Sequence, residues 1–158
     1  MDHELSIVSE AIKRAGHEAL RLAAVGFDTY TKPDQSPVTS VDLAVNQILR
    51  DHLSAAFPED GWLSEETEDN HHRLTRSRVW IVDPIDGTRS FVRGLPEFCL
   101  SVALVEQGIR NLAQVGNPFH LYQCLELPGL DARQPDGRIV WLRLPALAIS
   151  QEAAFVRL

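Results

Sequence analysis

Asp83 and Asp86 lie three residues apart in the stretch Trp80-Ile81-Val82-Asp83-Pro84-Ile85-Asp86-Gly87-Thr88, so two carboxylates and two backbone amides follow one hydrophobic run. Carboxylate oxygens suit hard cations such as Mg²⁺, which is commonly held by one or two carboxylates together with a substrate phosphate. Gly87 permits close backbone approach or positive φ, and a helix beginning near Thr88 would aim free N–H groups at an anion. The same pattern has a plain structural meaning, because Asp is frequent in turns and at helix caps. Either meaning is compatible with this motif taken alone.

Two other acidic motifs are excluded by spacing. A calcium-binding EF-hand loop needs acids at alternating positions and a distal Glu. The Asp-x-Asp nucleophile loop of haloacid dehalogenase-type phosphatases has its acids two apart near the chain start, whereas here they are three apart and mid-chain.

The elements that must hold these acids follow from periodicity. Arg78 to Val82 is a β-branched and aromatic run that predicts a buried strand ending at Asp83, since Pro84 lacks the N–H that a ladder requires. Thr88 is expected to cap a short segment from Arg89 to Arg93 that Gly94 terminates. Leu5, Val8, Ile12, Ala15, Ala19, Leu22 and Ala23 recur at helical spacing and predict a first amphipathic helix. Tyr30 to Pro37, with two prolines, reads as a loop in which Lys32 is either a solvated side chain or a positive charge near the acids. Val41, Val45, Ile48 and Leu49 form the apolar stripe of a second helix that ends near Phe57-Pro58. Its start, Thr39-x-x-Asp42, is a capping box with Asp in place of Glu.

Between that helix and the Asp83 strand, Trp62-Leu63 precedes the acidic run Ser64 to Asp69. Such a run is either solvated surface or a means of setting one Glu at a strand end. His71 and His72 lack partners at zinc-ligand spacing and are expected to be exposed loop residues. Phe98 to Val105 and Leu112 to Val115 are strands joined through a turn at Gly108, and a connection this short implies antiparallel pairing. Leu121 to Leu127 and Ile139 to Leu144 are further strand candidates. Helices at one end followed by hairpin-linked strands give an α+β class, two N-terminal helices packed on a mainly antiparallel sheet.

Composition bounds the function. A chain of 158 residues is long enough for one domain with a hydrophobic core. A net charge of -7 argues against a nonspecific grip on nucleic acid polymers or anionic membranes. Cys99 and Cys124 show no paired ligand spacing and imply a reduced, cytoplasmic setting without a disulfide. The acidic start Met1-Asp2-His3-Glu4 lacks the form of a signal peptide, and no stretch approaches transmembrane length.

Several separated blocks, taken together and in order, carry more than any one motif. These are Pro37-Val38-Thr39-Ser40-Val41-Asp42, Phe57-Pro58, Leu63-Ser64-Glu65-Glu66, the Trp80 to Thr88 stretch with Phe91, Leu100-Ser101-Val102-Ala103-Leu104, and Gly116-Asn117-Pro118. In this order and spacing, across about residues 5–118, the chain resembles the inositol monophosphatase family of Mg²⁺-dependent, lithium-sensitive phosphatases, which includes bacterial 3′(2′),5′-bisphosphate nucleotidases. The resemblance implies that Glu65, Asp83 and the Ile85 carbonyl bind a first Mg²⁺ and that Asp83 and Asp86 share a second. It implies that Gly87 and Thr88, beside Asp86, present N–H groups to the substrate phosphate. Asp42, Thr88 and Glu65 would then be the catalytic set that orients and activates water. Asp42 keeps its capping role in parallel.

The resemblance further implies a metal-activated phosphomonoesterase acting on a small phosphate ester, either an inositol monophosphate or 3′-phosphoadenosine 5′-phosphate. The wording Gly61-Trp62-Leu63-Ser64-Glu65-Glu66-Thr67 is similar to bacterial members assigned to the latter. The alternative from another class is a catalytically impaired member serving as a cation-binding or interaction module. Family chains are longer, and the expected organisation is a family-like domain over residues 1–118 with a divergent, truncated or frame-shifted tail over 119–158. The missing half normally supplies a further Asp ligand, so weak Mg²⁺ binding and slow turnover are expected of this chain. An apolar sheet face without its usual cover would favour a homodimer.

Overall fold

The computed structural model describes residues 2–106, 109–116, 123–125 and 130–131, with side chains over 3–106. Two long helices lie against a six-stranded sheet, and a two-stranded ribbon and a short helix flank the motif.

Helix α1 (Asp2–Val25) buries Val8, Ala11, Ile12, Ala15 and Ala19 completely. Small residues on this stripe let the helix approach its neighbours closely. Ala23, expected on the same stripe, is exposed, because the stripe leaves the core before the helix ends. Helix α2 (Ser40–Ala56) buries Val41, Val45, Leu49 and Leu53, with Asp42 and Asn46 on the same buried side. Ile48 is only partly buried, and Leu53 takes the core place expected of it. The capping box is present: Thr39 accepts from the Val41 and Asp42 amides while the Asp42 side chain accepts from the Thr39 amide. Phe57 closes the other end, its N–H donating to the Leu53 carbonyl at 2.8 Å.

Strands β1 (Thr29–Thr31) and β2 (Pro37–Thr39) pair antiparallel, so the predicted loop shrinks to the residues between them. Asp34 organises that turn through its bonds from the Ser36 amide and hydroxyl. The large sheet contains β3 (Gly61–Ser64), β4 (Arg78–Asp86), β5 (Cys99–Glu106), β6 (Ile109–Gly116) and β7 (Gln123–Leu125) in that order, with β8 (Leu130–Asp131) also on β6. Pairing is antiparallel except between β3 and β4, which run parallel around a 3₁₀ turn at His72–Thr75. The fold class is therefore the expected one, with one parallel pair that hydrophobic pattern alone does not reveal.

Trp80 and Val82 on β4 sit opposite Leu104 and Val102 on β5, and these side chains form the core with the helices. Phe91, Phe98 and Ile85 extend this core toward the motif. At its other end, Arg78 ties β4 to α1 by a 3.1 Å bond from Nη1 to Glu4. Its Nε lies 3.2 Å from Asp60 Oδ1, and the Trp80 indole donates to Asp60 Oδ2 at 3.0 Å.

Ile81, on the sheet face away from the helices, is only 5% exposed. Among the described residues the exposed large apolar side chains lie off the large sheet, at Val25, Tyr30, Leu43, Leu74, Val92 and Leu95. No helix among the described residues is long and apolar enough to cross a membrane. The Gly108 turn, Asn117-Pro118 and the Ile139–Leu144 candidate strand lie outside the described residues.

Candidate active site

The strand carrying the acids does not stop at Asp83; β4 continues through Pro84 and Ile85 to Asp86. It does so by a bulge. Asp83 pairs with Ser101 and Asp86 with Cys99, so three steps along β4 match two along β5. Pro84 fits this break because it has no N–H to offer the ladder. The bulge also settles where the carboxylates point. In a regular strand residues three apart face opposite sides, but Ser101 and Cys99 are two apart and share a face. Asp83 and Asp86 opposite them therefore share that face as well.

Glu65 joins them through the neighbouring strand. Ser64 pairs with Val82 in the parallel β3–β4 ladder, and the Glu65 amide donates to the Val82 carbonyl at 3.3 Å. That register sets Glu65 beside Asp83. The electrostatic consequence is large: burial first, then the charges of Glu65, Asp86, Asp42 and Glu66, push the Asp83 carboxyl up to about 8. The acidic run thus does set one Glu at a strand end.

Asp42 approaches from α2 and is 1% exposed. Its Oδ2 accepts from the Thr39 amide at 2.8 Å and from the Thr39 hydroxyl, and its Oδ1 lies 3.2 Å from Thr88 Oγ1. Burial raises its carboxyl above the ordinary value, opposed by these bonds. Thr88 Oγ1 also lies 3.0 Å from the Ile85 carbonyl. Its single proton serves one of these two acceptors at a time, and its lone pairs stay open to a further donor.

The helix cap differs from expectation. Helix α3 (Thr88–Val92) is capped by Gly87, and Thr88 is its first residue, spending its hydroxyl on Asp42 and Ile85 instead. Gly87 has φ 100, and a Cβ there would meet the Glu97 carbonyl oxygen at 2.7 Å. No side chain fits without moving the backbone.

Lys32 is not a solvated loop residue. It reaches from the β1–β2 turn to Glu65 Oε1 at 2.9 Å and Glu66 Oε1 at 2.7 Å. Burial alone would lower its pKa, but the bonds it donates to Glu66 and Glu65 outweigh this and the ammonium is held above its usual range. Glu66 in turn is raised by burial, with Lys32 opposing. His71 is exposed as expected, with its Nδ1 3.4 Å from Asp69. Asn46, which binds Ser64 and Thr67, does not announce itself in the sequence; only the tertiary approach of α2 reveals it.

The acids suit a hard cation: their donors are carboxylate oxygens, and the elevated Asp83 carboxyl reports negative potential that a divalent ion would neutralise beyond what Lys32 already offsets. Among the described residues no three acidic, His or Cys side chains close into a ligand cage, and Glu65 is instead tied to Lys32.

The inositol monophosphatase family matches residues 1–140. The chain belongs to that family. A histidinol-phosphatase of Chlorobaculum parvum is 35% identical over 126 residues, 78% of this chain and 48% of that protein. The 3′(2′),5′-bisphosphate nucleotidase CysQ of Buchnera aphidicola is 33% identical over 119 residues, covering 73% and 44%. Among solved structures, an IMPase/NADP phosphatase complexed with Mg²⁺ and phosphate superposes with a TM-score of 0.67 at 25% identity, over 74% of this chain and 44% of that one. This inositol monophosphatase family chain thus spans about half the length of the curated relatives it matches.

Proposed function

We propose that this chain carries the cation-binding part of a Mg²⁺-dependent phosphomonoesterase acting on a small phosphorylated metabolite. The carrying observation is the shared face of Asp83 and Asp86 with Glu65 beside them, whose charges, added to burial, lift Asp83 to about 8. Glu65, Asp83 and the Ile85 carbonyl would hold a first ion, and Asp83 with Asp86 a second. When bound, such ions lower the pKa of an attacking water and stabilise a leaving oxygen.

The chain's own residues supply the remaining steps. Gly87 and Thr88 offer backbone N–H groups to the phosphate beside Asp86. Thr88 accepts a proton from water on Oγ1 while passing its own to Asp42, whose burial makes it a better base than an ordinary Asp. Glu65 orients the same water.

The relatives' names widen the choice of substrate beyond the inositol monophosphate and 3′-phosphoadenosine 5′-phosphate expected from sequence, because a histidinol phosphate is a further candidate. Phosphate release from all three, with and without Mg²⁺ and with Asp86→Asn as control, tests the proposal. Release from one substrate that requires Mg²⁺ and vanishes in the variant supports it. Cation binding without release from any of them would favour a noncatalytic cation-binding module, and neither binding nor release would sink both.

A further inference from the structure

Asp42 and Asn46 are four residues apart on α2, which places them one above the other on a single face. Both are buried, Asn46 to 7% exposure. Asp42 engages Thr88 at the β4–α3 junction, whereas Asn46 engages the turn that follows β3.

That engagement spans the turn. The Thr67 amide donates to the Ser64 carbonyl at 3.3 Å, closing a four-residue turn with Glu65 and Glu66 at its centre. Asn46 holds both ends: its Oδ1 accepts from Ser64 Oγ at 2.7 Å, and its Nδ2 donates to Thr67 Oγ1 at 2.9 Å. Ser64 Oγ also accepts from the Glu66 amide at 3.2 Å, and the Trp62 indole reaches Thr67 Oγ1 at 3.4 Å. Ser64 is itself 6% exposed, so its bond to Asn46 is closed off from water that would compete for it.

We infer that Asn46 is a positioning residue that fixes Glu65 beside Asp83 by stapling both ends of the Ser64–Thr67 turn to helix α2. Through the same helix, Asp42 fixes the Thr88 end, so one rigid face sets the separation of the two acid-bearing segments. The Glu65 side chain is itself 51% exposed and is tied to Lys32, a cation it shares with Glu66, so the turn beneath it has to set its place. A buried Asn that merely satisfied core polar groups would affect folding alone.

The inference rests on the cation-binding proposal above, and Mn²⁺ binding separates the two. The full 158-residue chain is titrated with Mn²⁺ and followed by electron paramagnetic resonance, beside urea denaturation of each variant. Asn46→Ala and Thr67→Val should weaken Mn²⁺ binding on the order of tenfold, as removal of supporting hydrogen bonds does at metal sites. Thr67→Ser, which keeps the hydroxyl, should stay within about twofold of wild type on the same grounds. Should Asn46→Ala fail to fold, the Thr67 pair decides by itself. Unchanged affinity in folded Thr67→Val would overturn the role of Asn46 while leaving cation binding intact. Absence of Mn²⁺ binding by the wild type would overturn both.

Discussion

Asp42 and Glu65 are two acids whose charges both act on Asp83, and they are held in opposite ways. Asp42 is 1% exposed and receives bonds from the Thr39 amide, the Thr39 hydroxyl and the Thr88 hydroxyl. The Glu65 side chain is 51% exposed and is held by the Lys32 ammonium at 2.9 Å. A buried, multiply bonded carboxylate belongs to the fold as much as to the chemistry, and its loss is felt in stability. An exposed one tied to a single cation can exchange that cation for another without disturbing the core.

Asp83 sits between these extremes, partly buried and repelled, and should show the largest effect. Its carboxyl is raised to about 8 in the folded chain, against about 3.9 for an unperturbed Asp. Because the folded pKa lies above the unfolded one, the stabilising contribution is complete below about pH 4 and is lost as pH rises toward about 8. Without divalent cation, stability should therefore fall on the order of 3 kcal/mol more between about pH 5 and about pH 8 in wild type than in Asp83→Asn. Equal pH slopes in urea denaturation of the two proteins would remove Asp83 from this account.

The buried end should show the next largest loss. Asp42→Ala removes a capping box and leaves the Thr39 amide without its partner, costing about 2 kcal/mol. Gly87→Ala must relieve a 2.7 Å contact at a backbone angle unfavourable to any Cβ, and a loss of about 1–2 kcal/mol is expected. The exposed end should show the smallest. Glu65→Gln should leave unfolding within about 0.5 kcal/mol of wild type, because surface ion pairs contribute little. The same variant should weaken Mn²⁺ binding at least about tenfold, the scale of disrupted metal sites. A Glu65→Gln protein as destabilised as Asp42→Ala would erase the distinction between the two acids.

Legibility in the sequence tracked the range of the interactions. The capping box at Thr39 and Asp42 was readable because both partners lie within one helical turn, and the stripes of α1 and α2 were readable because burial repeats with the helix. The acids at 65, 83 and 86 stood out by motif and by family resemblance. What pattern could not supply was long-range. The parallel β3–β4 pair, the approach of Lys32 from a ribbon and the Asn46 staple each join segments far apart in the chain. Thr88 reads as a cap because its residue type favours that role locally, whereas Asp42 and Ile85 compete for its hydroxyl in three dimensions.

The bulge in β4 has a consequence for inheritance. Had the same sequence paired regularly, Asp86 would fall opposite Phe98 and its carboxylate would enter the aromatic core. The three-residue spacing of the acids and the extra residue between them are therefore one heritable unit. An apolar exchange at Ile85 leaves the phase of the strand untouched, but inserting or deleting a residue between Asp83 and Asp86 changes the bulge that unites their carboxylates. This segment should accept substitutions across evolutionary time while refusing changes of length.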